Sequence, residues 1–98
     1  MKRYTFLLTH TAQRAYDKEI KRHPEKRARV IKAVRILETF GPDYPSLRTH
    51  VFRGHEIDGE PIFISYVENH TSSAWRIYWT WSTQTEATIL GIYIGPHP

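Results

Sequence analysis

Arg76, Tyr78 and His97 are the residues of this chain whose types suit a single chemistry once they are brought together. In Ala74-Trp75-Arg76-Ile77-Tyr78-Trp79-Thr80-Trp81 one arginine stands in an aromatic row, and the chain closes on Ile92-Tyr93-Ile94-Gly95-Pro96-His97-Pro98. Read as a strand, the first stretch turns Trp75, Ile77, Trp79 and Trp81 to one face and Arg76, Tyr78 and Thr80 to the other. One face is then core, and the other is a polar surface holding a cation beside a phenol. Such a kit suits a phosphate. Attack of a ribose 2′-hydroxyl on the adjacent phosphate needs a proton acceptor, a donor for the leaving 5′-oxygen and positive charge on the phosphoryl group. An arginine fork can hold the phosphate oxygens, so the step requires no metal. His97 titrates near neutral pH and suits the proton transfer, while Tyr78 and Tyr93 can stack on a base or donate a hydrogen bond.

Other chemistries lack their residues. His10, His23, His50, His55, His70 and His97 show no HxxxH or HxH spacing, and no cysteine is present, so no metal site and no cofactor is expected. The serines have no GxSxG elbow around them, and glycine-rich phosphate loops are missing.

The elements that must position these residues follow from periodicity. Residues 4–9 alternate as a strand. Thr9 or Thr11 then offers an N-cap to a helix carrying Ala12, Ala15, Tyr16 and Ile20, which ends near His23 because Pro24 disfavours helical geometry before it. Pro24 opens a second helix with Ala28, Ile31, Val34 and Leu37 on its stripe, stopped by Gly41-Pro42. A loop over residues 41–46 leads to a short strand, 48–53, closed by Gly54. Asp58-Gly59 signals a turn, and strands follow at 61–69, 75–81 and 87–94. The order β-α-α-β-β-β-β predicts an α+β fold: a two-helix hairpin packed on one face of a mostly antiparallel sheet, the tryptophan face beneath the helices and the opposite face open.

The 98 residues, 40% hydrophobic, make a single domain spanning 1–98. Without cysteine no disulfide framework forms. The short apolar run after Met1-Lys2-Arg3 is too brief for a signal peptide, and nothing approaches a membrane span, so a cytoplasmic protein with no membrane partner is expected. The net charge of +4 is uneven. Residues 1–40 hold eleven Lys and Arg against four Asp and Glu, whereas residues 41–98 hold three against six. A basic helical half suits nucleic acid or an acidic partner, or simply solvates the helices.

The element order, the size, the strand end Leu47 to Arg53-Gly54, the Trp75-Arg76-Ile77-Tyr78 strand and the penultimate histidine together resemble the RelE/ParE toxin superfamily over nearly the whole chain. That resemblance implies the toxin of a type II toxin–antitoxin pair, neutralised by a cognate antitoxin that wraps it. Its ribonuclease branch cleaves mRNA on the ribosome, which would make this chain an endoribonuclease that binds mRNA and rRNA. By position, Arg76 matches the arginine that binds the scissile phosphate, His97 is similar to the C-terminal general acid, and Arg53 matches the basic residue before the glycine. Arg48, Tyr78 and Tyr93 would contact substrate. The second basic position of that strand end falls on Val51, and the acidic base expected in the preceding loop falls nearest Asp43. Two alternatives accompany the enzyme: a ParE-like inhibitor of DNA gyrase, and a degenerate member that acts only by binding.

Overall fold

A computed structural model describes residues 2–69 and 73–96. The first strand, β1, spans Thr5–Leu8. Thr9 follows with extended backbone, and its hydroxyl accepts the Ala12 N–H at 3.1 Å, so Thr9 and not Thr11 caps helix α1, His10–Arg22. His23 leaves helical geometry ahead of Pro24, as a residue before proline tends to do. Pro24 does not open an α-helix directly. Pro24–Lys26 forms one 3-10 turn, and α2 runs from Arg27 to Phe40 with Val30, Ala33 and Leu37 buried along one stripe. The Gly41 N–H bonds back to the Leu37 carbonyl at 3.0 Å and closes that helix. The expected loop over residues 41–46 instead leads into a second 3-10 turn, Pro45–Leu47, which drives Leu47 into the core.

Four strands complete the chain: β2 His50–Ile57, β3 Glu60–Tyr66, β4 Trp75–Trp81 and β5 Thr88–Pro96. They form one five-stranded sheet in the order β1-β5-β4-β3-β2. Consecutive strands from β2 to β5 pair antiparallel, while β1 pairs parallel to β5 with Thr5 opposite Thr88 and Leu8 opposite Gly91. The sheet is therefore mixed, and its first strand is placed by its last.

Two boundaries differ from the sequence reading for a backbone reason. Gly54 does not end β2: with φ at +82° it carries the strand through an irregularity between Val51 and Glu56, and pairing resumes to Ile57. The chain then reverses at Asp58-Gly59, opposite Ile57 and Glu60. β3 stops at Tyr66 rather than 69, because Val67 and Glu68 both give their N–H groups to the Trp75 carbonyl and leave the ladder.

The tryptophan face packs beneath the helices. Trp75, Ile77, Trp79, Ile89 and Ile94 meet Val30, Ala33, Leu37 and Leu47 in one core, with Tyr4, Phe6, Tyr16, Phe63 and Trp81 at its margin. Polar groups inside it are paired. The Trp79 indole N–H donates to Ser65 Oγ at 2.9 Å, and Ser65 Oγ lies 2.7 Å from the Thr49 hydroxyl, so three neighbouring strand segments are stitched through one buried serine.

Glu68 fastens the sheet to the helices. Its carboxylate accepts both of its Lys26 contacts at 2.9 Å, pairs with Arg29, and takes the Trp75 N–H at 3.1 Å. Burial pushes the carboxyl pKa up, but the hydrogen bonds from Lys26, the Trp75 amide and Arg29 outweigh it and hold the group below its ordinary value. A folded-state pKa below the unfolded one means that this stabilisation is complete above the unfolded carboxylate pKa and is lost as pH falls through the folded value. Glu68→Ala should lower stability by about 2–3 kcal/mol, less than a fully buried pair because the Arg29 side chain is 63% exposed. Urea unfolding of Glu68→Gln against wild type between pH 6 and pH 3 checks the sign: the difference between them should shrink as the solution becomes acidic.

Candidate functional site

The face of the sheet turned away from the helices is less polar than simple alternation implies. Ile62, Ile64 and Tyr78 are buried there, with Phe52, Tyr66, Ile92 and Tyr93 packed around them. Register explains the grouping. Row by row across the sheet, Tyr66 lies opposite Arg76 and Arg76 opposite Gly95, while His50, Ile64, Tyr78 and Tyr93 form the next row. The expected cation and phenol are neighbours, set in an aromatic surround.

Arg76 is half-buried, with its guanidinium carbon 4.7 Å from the centre of the Tyr66 ring. This cation–π contact holds the guanidinium over the Tyr66 ring. The Arg76 Nε and the Tyr78 hydroxyl are both buried without a hydrogen-bond partner among the described residues. Tyr78 is 4% exposed, enclosed by the Phe52 ring at 5.4 Å and the Tyr93 ring at 5.6 Å. Its ring therefore offers no free face for stacking. Its hydroxyl is buried beside the Arg76 guanidinium. Burial pushes the Tyr78 phenol up, the Arg76 guanidinium beside it pulling the other way, so the hydroxyl stays protonated and able to donate.

Tyr93 reaches this face through a bulge. Tyr78 pairs with Tyr93 but Trp79 pairs with Gly91, which leaves Ile92 as one extra residue in β5. Strict alternation from Ile89 and Gly91 would send Tyr93 to the helix side. The bulge turns both Ile92 and Tyr93 onto the face of Arg76. Gly95, opposite Arg76, is the other requirement: a Cβ there would sit 2.6 Å from the Tyr93 hydroxyl. The Tyr93 hydroxyl donates to the Pro96 carbonyl at 3.3 Å, and burial raises its pKa, with Glu19 and Tyr78 adding to the effect.

The remaining expected residues are placed unequally. Pro96, the last described residue of β5, pairs with Trp75, one position from Arg76. His97 lies outside the described residues. Arg53 is exposed on β2 just before Gly54, and Arg48 is exposed ahead of that strand; neither side chain bonds to the Arg76 group among the described residues. Val51 pairs with Phe63, which stacks on Trp79 at 4.7 Å, so this position belongs to the face opposite Arg76. Asp43 is exposed in the connection after α2, beside the stacked Phe40–Tyr44 pair.

Two residues were not singled out from sequence. Tyr66 carries the Arg76 guanidinium, and His50 sets its ring edge-on to Tyr66 at 5.8 Å. The β3–β4 hairpin register holds the signal for Tyr66, but that register depends on where β3 stops. Beyond Tyr66 lies a cavity of about 440 Å³ with Arg29, Lys32, Ile36, Ser46 and Asn69 in its wall. Among the described residues no group of three or more His, Asp or Glu side chains is gathered to hold a metal ion, and no helix is long and apolar enough to cross a membrane.

Tyr78→Phe should raise stability by about 1 kcal/mol, because it removes a buried hydroxyl that meets the geometry of a hydrogen bond with none of the described residues. Chemical denaturation measures this. Gly95→Ala should change stability by less than about 1 kcal/mol, since only the far end of Tyr93 must move, yet it should displace the Tyr93 ring resonances in an NMR spectrum. Unmoved Tyr93 signals would contradict the close approach.

Compared with protein-family models, with curated proteins and with solved structures, the chain finds no match in any of the three.

Proposed function

We propose that this chain is a RelE/ParE-type toxin that cleaves mRNA on the ribosome by a metal-independent transesterification, and that a cognate antitoxin holds it in check. The observation that carries the reading is Arg76: a lone cation on the face away from the core, braced flat against Tyr66, with its Nε and the adjacent Tyr78 hydroxyl both unpartnered. A guanidinium held against an aromatic ring on this face, with a phenol beside it, suits an anion with several oxygens. A phosphoryl group in transfer is such an anion, and its charge rises at the transition state, where fixed donors contribute most.

In this mechanism Arg76 holds the non-bridging oxygens and stabilises the phosphorane, and Tyr78 adds a hydrogen bond from below. Tyr93, beside Tyr78, lines the path of the substrate. His97 is the proposed proton donor to the leaving 5′-oxygen. Arg53 and Arg48, both exposed, are proposed to meet the RNA backbone at a distance from the reacting phosphate. The basic helices α1 and α2 would dock on rRNA, because phosphate contacts are largely independent of sequence. A cytoplasmic location follows from this role.

A second reading, inhibition of DNA gyrase without RNA cleavage, is favoured by one observation: residues 41–98, which include β2 to β5, hold six acidic residues against three basic ones. That balance suits a protein target better than a polyanion.

Cell-free translation with the protein added, followed by mapping of message ends, separates the two. Arg76→Ala should reduce cutting by roughly 100-fold or more, the loss typical of one fixed charge donor, while the melting curve stays close to wild type. Intact messages together with gyrase-linked DNA breaks would establish the second reading instead.

A further inference from the structure

The site has a charge, but Asp43, the residue nearest the expected acidic base, is exposed in the connection after α2 and makes no bond to the Arg76 group among the described residues. We infer that His50 is the proton acceptor, activating the ribose 2′-hydroxyl next to the phosphate that Arg76 holds. The inference rests on the ribonuclease reading above.

Three observations carry it. First, the tautomer of His50 is set by the backbone. Its Nδ1 lies 2.9 Å from the Arg48 carbonyl oxygen. A carbonyl can only accept, so Nδ1 carries the hydrogen, and in the neutral ring Nε2 keeps its lone pair for a substrate. Arg48 adopts the left-handed conformation, φ 48° and ψ 40°, uncommon for a residue with a side chain. That conformation immediately precedes the strand and sets the carbonyl against His50. Second, the base is joined to the arginine through one ring. His50 meets the edge of Tyr66, and Arg76 lies over its face. His50 and Arg76 sit on strands two apart, about 10 Å between backbones, with the Tyr66 ring between them, so a sugar and its phosphate would lie across the exposed edge of that ring. Third, the strand beneath is anchored. Thr49, next in chain, bonds to Ser65, which in turn takes the Trp79 indole N–H. His50 itself is exposed.

The charged and titratable groups facing His50 are Tyr66 from β3, Arg76 beyond it on β4, and Arg48 from its own segment. No carboxylate pairs with it among the described residues, so none competes with the 2′-hydroxyl for the ring. In the step, the 2′-O–H proton passes to Nε2, a bond forms from the 2′-oxygen to phosphorus, and the bond from phosphorus to the 5′-oxygen breaks. The 5′-oxygen takes up a proton from the acid or from water. The products are a 2′,3′-cyclic phosphate and a 5′-hydroxyl, and no other reactant is consumed.

The test compares wild type, His50→Gln and His50→Ala in cell-free translation, with the rate of message cutting followed against pH. Loss of a general base should slow cutting at neutral pH by roughly 100-fold or more. It should also abolish the rise in rate through the range where a histidine gives up its proton, and imidazole should restore part of the rate to His50→Ala. Melting curves of the variants should match wild type. His50→Gln cutting at the wild-type rate with the same pH profile would overturn the inference and leave the ribonuclease reading standing. Wild-type protein that leaves the message intact overturns both.

Discussion

The face bearing Arg76 depends on how β4 pairs with β5. From Trp75 to Tyr78 the two strands run in one register, and from Trp79 to Trp81 in another, with Ile92 as the residue that makes the difference. On the first side of the bulge, Tyr93 stands beside Tyr78 and Gly95 stands opposite Arg76. On the second, Gly91 and Ile89 return to the core beneath the helices. A single inserted residue lets one strand supply hydrophobic side chains to one face at one end and an aromatic wall to the other face at the other. Without it, Tyr93 would turn toward Trp79 on the helix side, and the phenol of Tyr78 would lose its cover.

The same arrangement explains which parts of the chain were legible in its residues. The helical stripe Val30, Ala33, Leu37 and the alternation of Trp75, Ile77, Trp79 are periodic, and periodicity survives folding when one face is buried. The Thr9 cap, the break at Pro24 and the Asp58-Gly59 turn rest on local backbone chemistry and are equally readable. Arg76 stood out because it was a lone charge among aromatics. The rest was set by register. Tyr66 meets Arg76 only because β3 ends where Val67 and Glu68 turn to the Trp75 carbonyl, and His50 meets Tyr66 only because β2 starts after a left-handed Arg48. Positive φ at an arginine has no sequence signature. The expected polar face is instead apolar because β3 and β4 already bring Ile62, Ile64 and Tyr78 to it, and the bulge at Ile92, which breaks the alternation on which strand faces are assigned, adds Ile92 and Tyr93.

The two clusters of buried polar groups divide the labour. Ser65, Thr49 and Trp79 satisfy one another inside the helix-side core, and Glu68 is satisfied by Lys26, Arg29 and the Trp75 amide. Both tie strand ends close to Arg76, one at the start of β2 and one at the start of β4. By contrast, Arg76 Nε and the Tyr78 hydroxyl are left unsatisfied between them. Buried polar groups in folded proteins find partners as a rule. Here the fully satisfied groups hold rigid the two unsatisfied ones, a division that suits a surface whose remaining acceptor arrives from outside.

The parallel pairing of β1 with β5 has a consequence for biosynthesis. Thr5 finds its place only against Thr88, and Leu8 only against Gly91. β1 has nothing to join until residues 88–91 have been made and released from the exit tunnel, because strand pairing across so long a separation is deferred until late. β1 and the row bearing Arg76 and Gly95 both wait on the same strand, β5. Parallel pairing of β1 thus makes the sheet's assembly a late, long-range event.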